Sequence, residues 1–197
     1  MNASNEVRYR REQPGEEQQV RAVVEDAFRQ HAVVATLVDR LRESTDWIDG
    51  LSFVADCGGR ICGHILFTHG LLDAPRRLVD VLVLSPVSVA TDFQGSGIGS
   101  ALIRHGLGEL SGRPEPLVFL EGAPAFYRRF GFQAAGELGF RRPSLRIPDP
   151  AFQVVKLTSY EPWMTGTLVY SHVFWDLDCV GLREPPEDSS ASGPGAG

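Results

Sequence analysis

The stretch Gln94-Gly95-Ser96-Gly97-Ile98-Gly99-Ser100 has the residue types and spacing that most directly imply chemistry. Three glycines at alternate positions lack a Cβ, so backbone N–H groups can converge on one point. Behind them Ala101, Leu102, Ile103, Leu107 and Leu110 predict an amphipathic helix over 100–110. Its first turn adds unpaired donors and the positive end of a dipole. Converging amides at a helix start suit a phosphate or pyrophosphate.

Two familiar phosphate loops fail on spacing. The P-loop needs a lysine followed by Ser or Thr after its last glycine, and Gly99 is followed by Ser100 with no lysine. The dinucleotide fingerprint needs G-x-G-x-x-G, whereas Gly95, Gly97 and Gly99 run G-x-G-x-G. It also wants an acidic residue about 20 positions on at the end of a second strand, where residues 112–115 look turn-like. Gln94-x-x-Gly97-x-Gly99 does resemble the acetyl-CoA pyrophosphate loop of the GCN5-related N-acetyltransferases. Downstream, Leu117-Val118-Phe119-Leu120 and then Ala125-Phe126-Tyr127-Arg128-Arg129-Phe130-Gly131-Phe132 are similar to that family's strand 5 and A-x-Y-x-x-x-G-F helix. Gly63-His64-Ile65-Leu66-Phe67, Pro86-Val87-Ser88-Val89 and Phe152-Gln153-Val154-Val155-Lys156-Leu157 resemble the YhbS-like subgroup. The resemblance spans residues 7–174.

The resemblance implies an α/β (α+β) fold. A mixed, mostly antiparallel twisted sheet of six or seven strands splays between strands 4 and 5, flanked by about four helices. It implies acetyl-CoA as co-substrate, held by Gln94, Gly95, Ser96, Gly97, Ile98, Gly99 and Ser100 and by the main chain of Val87, Ser88 and Val89. Pro86 cannot donate to a ladder, which supplies a local reason for a bulge that opens the sheet there. The acceptor is then a primary amine. Tyr127 is the expected general acid for the departing thiolate, since a tyrosine with pKa about 10 is protonated at neutral pH. The alternative is a packed aromatic among Phe126, Phe130 and Phe132. Many relatives carry a glutamate on strand 4, but residues 81–89 hold a carboxylate nowhere. Glu121, at the end of strand 5, is the nearest candidate base; a water chain or an already neutral amine are the alternatives. A catalytically silent acyl-CoA sensor or assembly module is the competing functional class, and a nucleotide-binding fold unrelated to CoA a third.

Other chemistry-bearing residues read as structural. His31, His64 and His69 have no metal-ligand spacing with Cys or Asp, so no metal is expected. Arg128 and Arg129 either reach phosphates or form a solvated face, the latter favoured for at least one of them. Cys57, Cys62 and Cys179 are odd in number and lack C-x-x-C spacing, so they are read as thiols in a reducing compartment. Cys57 and Cys62 could face each other across Gly58-Gly59, but no bridge is expected.

The chain has 197 residues, 43% hydrophobic and 22% charged, as one soluble domain would. Net charge is −6, so no nucleic-acid partner is expected. With neither a signal peptide nor an apolar run near 18 residues, no membrane partner and a cytoplasmic location are expected. The pattern predicts strands over 7–11, 51–56, 61–72, 79–89, 117–120, 152–157 and 166–175. Helices are predicted over 16–30, 33–42, 100–110 and 124–129. The domain is placed at 7–183, between a flexible 1–6 and a disordered Pro/Gly/Ser tail at 184–197. By analogy with dimeric relatives, strand 166–175 is a candidate for pairing with a second subunit.

Overall fold

Strand β4 (Leu78–Val89) carries the alternation that organises the molecule. Val79, Val81 and Val83 point to one face of the sheet and pack beneath helices α1 (Glu17–Ala27) and α2 (Val33–Arg42). Leu82 and Leu84 point to the other, beneath α3 (Ile98–Glu109). Each face is apolar because it is covered, so a strand in the middle reads as a nearly continuous hydrophobic run. The computed structural model describes residues 7–181, so the N-terminus at 1–6 and the tail at 184–197 lie outside the described residues.

Beside β4 lie β3 (Ile61–Asp73), β2 (Ser52–Cys57) and β1 (Val7–Arg11), all antiparallel. On its other side β5 (Leu117–Glu121) runs parallel, as the α3 crossover requires. Beyond it come β8 (Phe152–Lys156) and the two-residue β6 (Gln133–Ala134). Two more short strands, β7 (Phe140–Arg141) and β9 (Gly166–Val169), close the far end of β3. The sheet is thus mixed and mostly antiparallel, as expected, with nine described strands rather than six or seven.

The expected opening is present. Strands β4 and β5 pair only at Leu82↔Val118 and Val83↔Phe119, then part. On the other edge of β4 the register jumps from Phe67↔Leu84 to Ile65↔Val87, so β4 carries one extra residue at Ser85-Pro86, whose peptide is cis. That bulge reverses the alternation. Beyond it Val87 and Val89 pack towards the α3 cluster, whereas Ser88 turns to the opposite face across from His64.

Three readings are corrected. Residues 166–175 are not one strand, because β9 stops at Val169 and helix α5 (His172–Asp176) follows. Ser171 caps α5, its Oγ accepting the Val173 N–H at 3.3 Å, and that hydrogen bond ends the extended chain. β9 itself pairs with β3 on one side and β7 on the other within the same chain. Cys57 and Cys62 are joined by a disulfide across the β2–β3 turn, their Cα atoms 6.2 Å apart, instead of remaining thiols. The tight turn through Gly58 and Gly59, both at positive φ, brings the two strand ends together. Helix α3 begins at Ile98, two residues earlier than its apolar pattern indicates, because Gly97 rather than a polar side chain makes the turn.

Candidate active site

Gly97 stands at the head of α3 with φ +89°, a left-handed conformation that suits glycine, and no side chain caps the helix. The first-turn N–H groups of Ile98, Gly99 and Ser100 are therefore left facing a cleft of about 470 Å3. A Cβ on Gly95 or Gly97 would meet open space, so the loop leaves room for a group to approach its backbone. Gln94 Nε2 donates to the Val89 carbonyl at 3.1 Å, tying the loop to the end of β4. Asp26, at the end of α1, accepts the Thr91 N–H at 2.6 Å and anchors the loop's other flank. That hydrogen bond and Arg29 hold the Asp26 carboxyl down at about 2.

The cleft brings together most of the residues singled out by pattern. Val87, Val89, Gln94, Gly95 and Gly97 line it. So do Ile98, Gly99, Ser100 and Tyr127. Two do not. Ser96 spends its hydroxyl on the Phe93 carbonyl and shapes the turn. Ser88 turns its side chain into the core, where its Oγ is buried without a partner among the described residues, so only its main chain can serve. Arg129 lines the cleft as well, its guanidinium over the Phe126 ring at 4.6 Å and 3.4 Å from Ser100 Oγ. It is an exposed cation at the loop's edge.

A second cleft of about 210 Å3 opens between the parted strands. Phe28, Val87 and Tyr127 line both, so the two clefts meet at these residues. Glu121, the last residue of β5, lies in the second. Its Oε1 accepts from the Tyr170 hydroxyl at 2.9 Å and its Oε2 from the Gly181 N–H at 3.0 Å. Burial raises the Glu121 carboxyl above its ordinary value, against the lowering pull of those two donors and Arg146. Burial also pushes the Tyr127 hydroxyl up to about 12, which keeps it protonated across the physiological range. Cys179, in the same cleft, is raised to about 11 by burial, with Asp178 and Glu121 adding to it. It is therefore a thiol and not a thiolate nucleophile.

Tyr127 is placed by Gly122. A Cβ there would lie 2.8 Å from Tyr127 Cδ2 and closer still to Cε2, so the ring rests on bare backbone. Pro124 begins the short helix α4 (Pro124–Tyr127), which carries the tyrosine back over the end of β5. Phe28, Phe126, Tyr170 and Phe174 were not legible as site residues, since each reads as core packing and only the fold assembles them.

His64 and His69 are held by side-chain hydrogen bonds within the fold. His64 is fully buried, its Nε2 2.9 Å from Ser52 Oγ, and burial followed by Arg42 drives its pKa down to about 3. His69, on β3, sits between Asp80 at 2.8 Å and Asp46 at 3.3 Å and lines neither cleft. No group of three or more metal-capable side chains gathers among the described residues, and no helix there is long and apolar enough to cross a membrane.

Comparison with known proteins fits this geometry. Residues 8–135, more than half the chain, match the acetyltransferase (GNAT) domain family. The uncharacterised N-acetyltransferase YjhQ of Escherichia coli K12 is 36% identical over 140 residues, covering 67% of this chain and 75% of that protein. The crystal structure of the GNAT-family N-acetyltransferase YhbS from Escherichia coli in complex with CoA superposes with a TM-score of 0.78 at 26% identity. That match covers 88% of this chain and 94% of that one. A GNAT-family acetyltransferase from Brucella melitensis, solved with acetyl-CoA, gives 0.69 at 32% identity over 86% and 99% of the two chains. On both the matched domain and the architecture, the chain belongs to the GNAT acetyltransferase family.

Proposed function

We propose that the protein binds acetyl-CoA in the larger cleft and transfers its acetyl group to a primary amine held in the smaller one. The meeting of the two clefts at Tyr127 carries this reading. The uncapped α3 amides and Arg129 suit a diphosphate, and the CoA and acetyl-CoA complexes of the YhbS and Brucella proteins support the same ligand here. The edge of β4 that β5 has left offers main chain at Val87–Val89 for an extended arm to pair with.

An amine with pKa near 10.4 is almost wholly protonated at neutral pH, so a base must act first. Glu121 takes that proton. The freed lone pair attacks the thioester carbon, the C–N bond forms and the C–S bond breaks, and Tyr127 protonates the departing thiolate. The nitrogen loses its second proton as the amide forms, which restores Tyr127, and Glu121 returns its own to solvent. Alignment of amine and thioester contributes about 7–11 kcal/mol to lowering the barrier when the geometry is good. The test is thiol release from acetyl-CoA in the presence of amines. Tyr127→Phe is expected to lower kcat about 10²-fold or more while leaving the Kd for CoA within about twofold. An unchanged kcat removes Tyr127 from the chemistry, and CoA binding with no thiol release across a broad amine panel establishes the silent sensor instead.

A further inference from the structure

The second cleft says more about its occupant than that it is an amine. At about 210 Å3 it is smaller than the roughly 300–1,000 Å3 typical of pockets for drug-sized ligands. Phe28, Leu37, Val83, Leu84 and Phe174 make its walls apolar. Among the described residues lining it there is one carboxylate, Glu121, and neither lysine nor arginine. Tyr170 and Gly181 each use one acceptor site on a different oxygen of that carboxylate. Its direction is therefore set before anything enters, and lone pairs remain for an incoming N–H.

Resting on the acetyl-transfer reading, we propose that this cleft selects a compact primary monoamine on an aliphatic or aromatic body, with its ammonium seated on Glu121. A polyamine would carry a second cation against Phe28, Leu37 or Phe174, where nothing pairs it and leaving an unpaired charge dry is costly. A free amino acid would bring its own carboxylate beside Glu121, with neither lysine nor arginine lining the cleft and with Arg146, which acts on Glu121 from outside that lining, already paired with Asp178. An aminoglycoside exceeds the space. The apolar walls instead reward a hydrocarbon body at about 25 cal/mol per Å2 covered.

The experiment uses the full chain with acetyl-CoA and follows thiol release for ethylamine, phenethylamine, spermidine, lysine and kanamycin. Phenethylamine is expected to exceed spermidine and lysine in kcat/KM by about tenfold or more. Glu121→Gln, which keeps the side chain's shape, is expected to raise the amine KM about tenfold while the CoA Kd measured by calorimetry stays the same. Phe28→Trp narrows the chamber without touching the carboxylate and should lower the phenethylamine-to-ethylamine preference about tenfold. A preference for spermidine, lysine or kanamycin, or an unmoved KM in Glu121→Gln, overturns the proposal while acetyl transfer stands. Should no amine be turned over, phenethylamine is titrated into CoA-saturated protein. Binding that Glu121→Gln abolishes then supports the cleft assignment and overturns the transfer reading, and absence of binding overturns the assignment.

Discussion

Tyr127 owes its position to what Gly122 lacks. The ring lies where any Cβ would stand, so Gly122→Ala must displace it even though alanine suits the local backbone. The expected outcome is a loss of kcat approaching that of Tyr127→Phe, about 10²-fold, with CoA affinity largely kept because the clash falls on the Tyr127 ring and not on the loop at 94–100. Steady-state kinetics beside calorimetry would check this. Tyr127 itself could be read from its place before Phe130-Gly131-Phe132, a local pattern. Phe28 and Tyr170 could not, because their roles exist only when α1 and the chain after β9 meet at the mouth of the parted strands. Glu121 was legible as a carboxylate at a strand end, but its fixed orientation depends on Tyr170 and Gly181, 49 and 60 residues away.

Among the elements, the β4–α3 unit was almost fully readable, since its loop, strand and helix follow one another in the chain. Gly97→Glu tests it. A side chain at φ +89° costs about 1–2 kcal/mol. The carboxylate would also face the same amides that a diphosphate needs. CoA affinity is therefore expected to fall at least about tenfold, beyond what the modest drop in Tm explains. Helix α5 was missed because an apolar 166–175 does not reveal its period over so short a run, although Ser171 was an available stop signal. The disulfide was missed because spacing alone does not distinguish facing thiols from bonded ones. A different prediction concerns His69, which clips the segment after α2 to the β3–β4 ladder through Asp46 and Asp80. Burial alone would lower its pKa, but the two carboxylates outweigh that and raise it above 6.5. A raised folded-state pKa means the stabilisation is present below about pH 6.5 and is lost as pH climbs through the higher folded value. The Tm advantage of the native chain over His69→Gln should accordingly shrink between about pH 6 and pH 8.5 in thermal unfolding scans.

At the level of the whole molecule, two helical layers cover a sheet whose central strands separate, and the cleft proposed for acetyl-CoA meets the one between those strands. A ligand that bridges the loop, β4 and α4 binds only the folded chain. CoA at about 100 times its Kd should thus add about 2.7 kcal/mol, which for a chain of this size raises Tm by about 5–10 °C. Differential scanning fluorimetry reads this directly, and an unmoved Tm would disconnect the larger cleft from CoA. The sheet's mostly antiparallel order was implied by the family resemblance, and only the hairpin through Gly58-Gly59 was legible from the connection itself. The two-residue strands β6 and β7 were not legible, because two residues carry no measurable alternation, whereas β9 was read as the start of a longer strand.

The surplus residue at Ser85-Pro86 acts on the remainder of β4 much as a frameshift acts on a message. Deleting it would exchange inside for outside at every later position, sending Ser88 beneath α3 and swinging Val87 and Val89 under α1. Length changes in this strand should therefore survive only in twos, and a library of single and double deletions across 84–87, sorted for folded protein, would show that parity.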